Sequence, residues 1–174
     1  MLTRRFILLL LLLLLLSACT PTTPANNPAP ESTPTLPPSS ILCIGQSSPR
    51  QLATVVRVVD GDTIKVDLDG ETYKVRYIGM DTPEKDRPFF EEATTKNAEL
   101  VDGQAVLLVK DVSETDRYDR LLRYVFVGDT FVNFELVNQG YAAAATFPPD
   151  VACDGMFRAA EADASSRGLG LWAP

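Results

Sequence analysis

The segment 74–84, Lys-Val-Arg-Tyr-Ile-Gly-Met-Asp-Thr-Pro-Glu, constrains the possible folds of this chain more than any other stretch. Its first half alternates apolar and polar residues, which predicts a short β-strand. Pro83 cannot donate a further ladder hydrogen bond, so the strand should end there. Two carboxylates and a hydroxyl are then left at a sheet edge, with Arg76 behind them. Such a group suits a hard metal ion facing a phosphate, and the plain alternative is a strand end followed by a helix start.

Apolar patterning along the rest of the chain predicts five strands and three helices. The strands are predicted at 53–59, 62–69, 72–79, 104–110 and 121–127, and the helices at 88–101, 131–138 and 151–167. Asp69-Gly70 is a hairpin signal between the second and third strands. Three strands, a helix, two strands and then helices is the order of a five-stranded OB-type barrel with helices packed on it. We therefore expect an α+β, mainly β, fold in which Leu171 and Trp172 pack the C-terminus onto the barrel.

The N-terminal 40 residues have the composition of a targeting segment and a linker. Basic residues precede an apolar run at 6–16, which is followed by Ser17-Ala18-Cys19, so residues 1–18 are predicted to be a signal peptide. The run is too short to span a membrane. Leu16-Ser17-Ala18-Cys19 resembles a bacterial lipobox, which implies lipidation of Cys19; an ordinary secretory signal is the alternative. Residues 19–40 are rich in Pro, Thr and Ser and are expected to form a disordered tether, leaving 41–174 as the folded domain. We thus expect an exported protein, lipid-anchored to the cell membrane or outer membrane, with its domain facing outward.

Charge and cysteine content limit the classes of function. The formal net charge is −7, which argues against broad adhesion to nucleic acid through a basic face. The chain has no histidine, which excludes His-dependent metal nucleases and Ser-His-Asp hydrolases. In an exported protein, Cys43 and Cys153 are expected to form a disulfide, although the sequence leaves two free thiols open.

Three separated segments carry a family resemblance. Residues 59–63 (Val-Asp-Gly-Asp-Thr), 76–84 and 116–120 (Asp-Arg-Tyr-Asp-Arg) resemble, in the right order, the signature segments of the micrococcal (staphylococcal) nuclease or thermonuclease family. The helical half of the chain is also similar, so that the resemblance covers about residues 52–172.

The resemblance implies an OB-type barrel that hydrolyses DNA or RNA, or both, with calcium and leaves 3′-phosphates. The positions that match the family's calcium ligands are Asp62, Asp81 and the main-chain carbonyl of Thr82. Those that match its catalytic residues are Arg76 and Arg120, which bind the phosphate, and Glu84, the general base. No protein partner is evident, and we expect a monomer.

Other functions remain open on the sequence alone. The acidic net charge favours a non-catalytic binding module that displays the same barrel at the cell surface. A purely structural surface protein would leave the polar residues of the predicted site unexplained. The family's aromatic platform for the base is also reduced here, because 142–145 is a run of alanines with only Tyr141 and Phe147 nearby. Base preference is therefore not predicted.

Overall fold

The computed structural model of the protein describes residues 43–174. The predicted signal peptide, the lipidation site Cys19 and the predicted tether lie outside the described residues. Within the described part of the chain, no helix is both long enough and apolar enough to cross a membrane.

A closed five-stranded barrel forms the centre of the domain. The strands in chain order are β1 (Arg50–Val58), β2 (Thr63–Leu68), β3 (Glu71–Tyr77), β4 (Met80–Asp81), β5 (Ala105–Val109), β6 (Leu121–Val127), β7 (Thr130–Phe131) and β8 (Ala143–Ala144). Strands β1, β2 and β3 form an antiparallel meander, and β5 lies between β1 and β6. Parallel pairing of β3 with β6 closes the barrel. The predicted OB-type barrel is therefore confirmed, and the extra strands β4, β7 and β8 are two-residue segments outside it.

Three helices pack on this barrel, as predicted: α1 (Phe90–Val101), α2 (Val132–Asn138) and α3 (Asp154–Ser166). Helix α1 begins two residues later than predicted, because Phe89 adopts a left-handed backbone conformation with φ of 71°. Strand β3 ends at Tyr77 rather than at the predicted Gly79, which itself has φ of 81°. A side chain at position 79 would collide with Phe157 of α3, so only glycine allows this close approach.

The C-terminus contacts the end of a helix. A 3₁₀ helix, Gly170–Trp172, follows α3, and the Leu171 N–H donates to the carbonyl of Gly140 at 2.8 Å. This bond ties the chain end to the turn that follows α2, whereas the sequence predicted a contact with the barrel.

The core is continuous between the barrel and the helices. Its apolar side chains come from the strands, where β5 and β6 are buried on both faces, and from the inner faces of α2 and α3. They include Ile64, Val75, Leu108, Phe126, Leu136 and Phe157. A disulfide joins Cys43 to Cys153 at the start of α3 and so holds the beginning of the described chain against this core.

Candidate active site

Asp62 lies between β1 and β2 and is held by four donors. Its Oδ2 accepts hydrogen bonds from the Thr82 N–H at 3.0 Å and the Thr82 hydroxyl at 2.8 Å. Its Oδ1 accepts one from the Thr63 hydroxyl at 3.0 Å and faces Arg76 Nε at 3.1 Å. With a side chain only 9% exposed, this carboxylate is fixed in place.

Arg76 joins the two aspartates predicted as metal ligands. It pairs with Thr63 across β2 and β3, so its side chain reaches the rim beside Asp62. Its Nη2 contacts Asp81 Oδ1 at 2.6 Å, while Nη1 donates to the carbonyls of Tyr77 and Met80 at 2.7 and 2.9 Å. The two carboxylates therefore converge on one positive charge.

Arg120 reaches the same rim from the loop between β5 and β6. The Asp116 carboxylate accepts from Arg120 Nε at 2.7 Å and from Nη2 at 2.6 Å. This leaves Nη1 pointing toward the Thr63 hydroxyl at 3.5 Å, a long contact that leaves the group available to a ligand. Burial alone would raise the pKa of Asp116, but hydrogen bonds from Arg120 and Tyr118 lower it below its ordinary value. Asp116 is therefore an ionised support for the guanidinium.

A single polar cleft of about 320 Å³ brings these groups together. Its lining includes all six residues predicted for the site: Asp62, Arg76, Asp81, Thr82, Glu84 and Arg120. Within residues 43–174, no donor is hydrogen-bonded to the exposed Glu84 carboxylate. The cleft thus combines one unengaged carboxylate, two supported guanidinium groups and a fixed aspartate.

Comparison with known proteins identifies the family. Residues 74–174 match the family model of staphylococcal nuclease homologues. The thermonuclease of Staphylococcus intermedius is 36% identical over 124 residues, which are 68% of this chain and 74% of the relative. The thermonuclease of Staphylococcus hyicus is 35% identical over 128 residues, 70% of this chain and 76% of the relative. Endonuclease YncB of Bacillus subtilis is 37% identical over 127 residues, 68% of this chain and 60% of the relative.

The chain belongs to the staphylococcal nuclease family. The resemblance predicted from the three segments is therefore confirmed. Whether the cleft could bind a metal ion depends on the oxygen ligands that its own residues provide.

The donor set of this nuclease-family cleft fits a calcium ion. Among residues 43–174, no group of three or more Asp, Glu, His or Cys side chains is arranged to hold a metal ion by itself. The available oxygens are instead two carboxylates and main-chain carbonyls, which are ligands that calcium accepts. Acidic side chains also lie close together in the cleft. Burial first, and then the charge of Asp62, raise the pKa of Asp60 to about 6. Burial likewise raises the pKa of Asp81, against the effect of Arg76. A bound cation would relieve this crowding.

Aromatic side chains at the cleft differ from those expected from the sequence. Tyr141 packs against Phe89, with ring centroids 5.6 Å apart and ring planes tilted by 30°, and does not line the cleft. Tyr118 and Phe147 do line it and are 63% and 58% exposed. They also border a neighbouring cavity of about 450 Å³ whose lining is mostly apolar. This nuclease-family member therefore has an aromatic surface, but one that includes Tyr118 instead of Tyr141.

Sequence reasoning missed two supporting groups of the site. Asn97 of α1 donates to the Asp60 carbonyl at 2.8 Å and accepts from the Tyr77 hydroxyl at 2.9 Å, so it fixes the turn that carries Asp62. A lone asparagine within an amphipathic helix gave no signal for this contact. Asp116 supports Arg120 directly, and here the four-residue spacing from carboxylate to arginine was a signal that could have been used.

Proposed function

We propose that the protein is a calcium-dependent nuclease that cleaves DNA, RNA or both. Family membership, with a thermonuclease and an endonuclease among the relatives, supports hydrolysis of phosphodiester bonds. One observation carries the assignment of residues, namely that the acidic groups and both arginines line the same cleft.

We propose Asp62, Asp81 and the Thr82 carbonyl as the calcium ligands. When bound, calcium would neutralise charge on the phosphodiester and orient a water molecule. The support for these ligands is that both carboxylates already converge on the positive charge of Arg76. The Thr82 carbonyl is brought close because its own N–H and hydroxyl are bound to Asp62.

Glu84 is the proposed general base. It follows Pro83 on the segment that leaves the barrel, and its carboxylate is exposed at the cleft without a hydrogen-bonded donor in the described part of the chain. A carboxylate in that state can accept the proton of a water molecule that attacks phosphorus. The P–O5′ bond then breaks and the leaving O5′ takes a proton from solvent water at the open cleft, which leaves a 3′-phosphate and a 5′-hydroxyl.

Arg120 is the proposed donor to the phosphate as charge builds on its oxygens. Asp116 holds one edge of the guanidinium, so the Nη1 end is presented to the cleft with little freedom to reorient. Donors fixed before the reaction stabilise developing charge most effectively. Arg76 is more fully engaged, because all three of its nitrogens contact protein oxygens. We propose that it both supports the aspartates and donates to the phosphate.

The assay is digestion of DNA and of RNA by the purified full chain, with calcium and then with excess chelator. We expect cleavage with calcium only, and products that end in 3′-phosphate. Glu84→Gln should lower kcat by about 10²-fold or more, since it removes the proton acceptor but keeps the shape. Glu91→Gln is the matched control, because Glu91 is exposed on α1 and does not line the cleft.

Two outcomes would contradict the proposal. Full activity in Glu84→Gln would remove that residue as base. Retention of nucleic acid without any product, unchanged by chelator, would instead select the binding module that the acidic chain also suggests.

The segment before the domain leads to a separate proposal. We propose that Cys19 is lipidated after removal of residues 1–18, and that 19–40 tethers the domain 41–174 outside the membrane. The support is the composition of these segments alone. Incorporation of labelled fatty acid into the wild type, and none into Cys19→Ser, is the expected result. Labelling that persists in Cys19→Ser would contradict it.

A further inference from the structure

Arg123 is a buried cation in an otherwise apolar strand. Strand β6 reads Leu-Leu-Arg-Tyr-Val-Phe-Val, and the Arg123 side chain is only 2% exposed. Its Nη1 donates to the carbonyls of Leu122 and Glu114 at 2.9 and 3.1 Å. Its Nη2 donates to Gln51 Oε1 at 3.2 Å and forms an ion pair with the Glu114 carboxylate. Two of the four contacts therefore go to a single residue outside the barrel.

Glu114 lies at the foot of the loop that carries Arg120, where the loop leaves the barrel. Its carbonyl also accepts the Leu122 N–H at 3.0 Å, and Thr115 pairs with Leu121 directly above it. The loop closes on itself through the Asp116 N–H, which donates to the Arg120 carbonyl at 3.0 Å. Any displacement of Glu114 would therefore move the support of the Arg120 guanidinium.

Fold stability alone does not explain the buried ion pair of Arg123 and Glu114. Removing a guanidinium from water has a large desolvation cost, and a buried ion pair is often no more stabilising than apolar residues of the same size. Its partner Glu114 is 55% exposed and also contacts Lys110 Nζ at 3.2 Å. The hydrogen bond from Arg123 lowers the pKa of Glu114, so the pair is ionised at neutral pH. What the pair does supply is a directional contact to both the main chain and the side chain of one loop residue.

We propose that Arg123 is a positioning residue for Arg120. Buried and fixed by these contacts, Arg123 holds Glu114 by its carbonyl and its carboxylate, and so sets where the loop presents Arg120 to the cleft. This inference rests on the proposed function, in which Arg120 contacts the phosphate. It concerns a residue that none of the three signature segments contains.

The test is a double-mutant cycle on the full chain in the calcium-dependent digestion assay. Glu114→Gln keeps the size of the side chain but removes the charge that faces Arg123. Arg123→Lys keeps the charge but removes the planar guanidinium that donates to several acceptors at once. We expect each to lower kcat by about tenfold with little change in KM, because a small misplacement of a catalytic group is costly. In an Arg120→Ala background, neither should lower kcat further. Asp163→Asn, which breaks the exposed pair with Arg167 on α3, should leave kcat unchanged in both backgrounds.

Amide hydrogen exchange of the same variants provides a readout independent of catalysis. We expect faster exchange in residues 114–120 of Glu114→Gln, with a melting temperature within a few degrees of the wild type. Unchanged kcat with unchanged loop exchange would overturn the proposal, and so would an equal loss of kcat in the Arg120→Ala background. If the wild type itself does not cleave, the proposed function fails. In that case, unchanged exchange in residues 114–120 of Glu114→Gln would also reject the positioning role. Faster exchange there would retain only the claim that Arg123 fixes the loop.

Discussion

Thr82 donates both its main-chain N–H and its hydroxyl to the same oxygen of Asp62, at 3.0 and 2.8 Å. The two residues are 20 positions apart, so this contact joins the turn before β2 to the chain that leaves β4. Both are buried. The geometry of the proposed metal ligands thus depends on one close approach between two chain segments.

Gly61→Ala should disrupt that approach. A Cβ at position 61 would lie 2.8 Å from both Cγ2 and Oγ1 of Thr82, which is a short side chain with no freedom to withdraw. Overpacking of this kind costs about 1–3 kcal/mol, and here it would also separate Thr82 from Asp62. We expect a lower melting temperature and loss of most of the hydrolytic activity, measured by calorimetry and by digestion of DNA.

The control for this substitution is Gly155→Ala. Gly155 lies inside α3, where an added Cβ meets no atom within 4 Å, and alanine favours a helix by about 1 kcal/mol over glycine. It should therefore be neutral or stabilising. Equal effects of the two substitutions would show that the contact with Thr82 is not the cause.

Calcium should stabilise the fold through Asp62. A ligand that binds only the folded state adds RT ln(1 + [L]/Kd), or about 2.7 kcal/mol at a concentration 100 times Kd. We expect added calcium to raise the melting temperature of the wild type, and chelator to reverse the rise. Asp62→Asn should abolish the shift, while Asp163→Asn, an exposed acid on α3, should retain it. A shift of the same size in Asp62→Asn would place the ion elsewhere.

The fold was predictable because its signals are local. Alternating strands, the Asp69-Gly70 hairpin and the helix periodicities each follow from a few neighbouring residues. The position of Arg76 opposite Thr63 also follows from pairing β2 with β3 through that hairpin. Hence the residues expected at the rim are found together in the cleft.

What the sequence could not predict depends on contacts between distant segments. The Arg76 guanidinium contacts both Asp62 and Asp81, and this depends on side-chain rotamers that are set only once the barrel has closed. Parallel pairing of β3 with β6 places Tyr77 opposite Arg123, and nothing in either strand alone indicates it. The left-handed conformation of Phe89, which sets the start of α1, has no glycine to signal it.

The pair of Asp116 and Arg120 should make stability depend on pH in acid. The pKa of Asp116 is lower in the folded protein than its ordinary value of 3.8, so the folded state binds fewer protons than the unfolded state. Its contribution is therefore complete above about pH 5, about one unit above the unfolded pKa, and is lost as pH falls through the lowered pKa. Urea unfolding between pH 6 and pH 3 should show a steeper loss for the wild type than for Asp116→Asn. Parallel curves for the two proteins would contradict this prediction.

Tyr118 and Phe147 should contribute to substrate binding, whereas Tyr141 should not. The first two are exposed at the cleft, and the third packs against Phe89. The guanidinium groups of Arg117 and Arg120 lie 4.8 and 5.5 Å from the Tyr118 ring centroid, so that ring is held next to Arg120, the proposed donor to the phosphate. A base bound at the cleft can therefore stack on an aromatic face while its phosphate meets Arg120.

Stacking of a base on an aromatic ring is worth about 1–3 kcal/mol, which is roughly 5- to 150-fold in affinity. We expect Tyr118→Ala and Phe147→Ala to weaken binding of a short single-stranded oligonucleotide within that range. Fluorescence anisotropy in the slow-cleaving Glu84→Gln background, with calcium chelated, measures binding with little cleavage. Tyr141→Ala serves as the control, because it removes an aromatic ring of the same size outside the cleft. If Tyr141→Ala weakened binding as much as Phe147→Ala, the base would have to lie beside Tyr141 and Phe89 rather than between Tyr118 and Phe147.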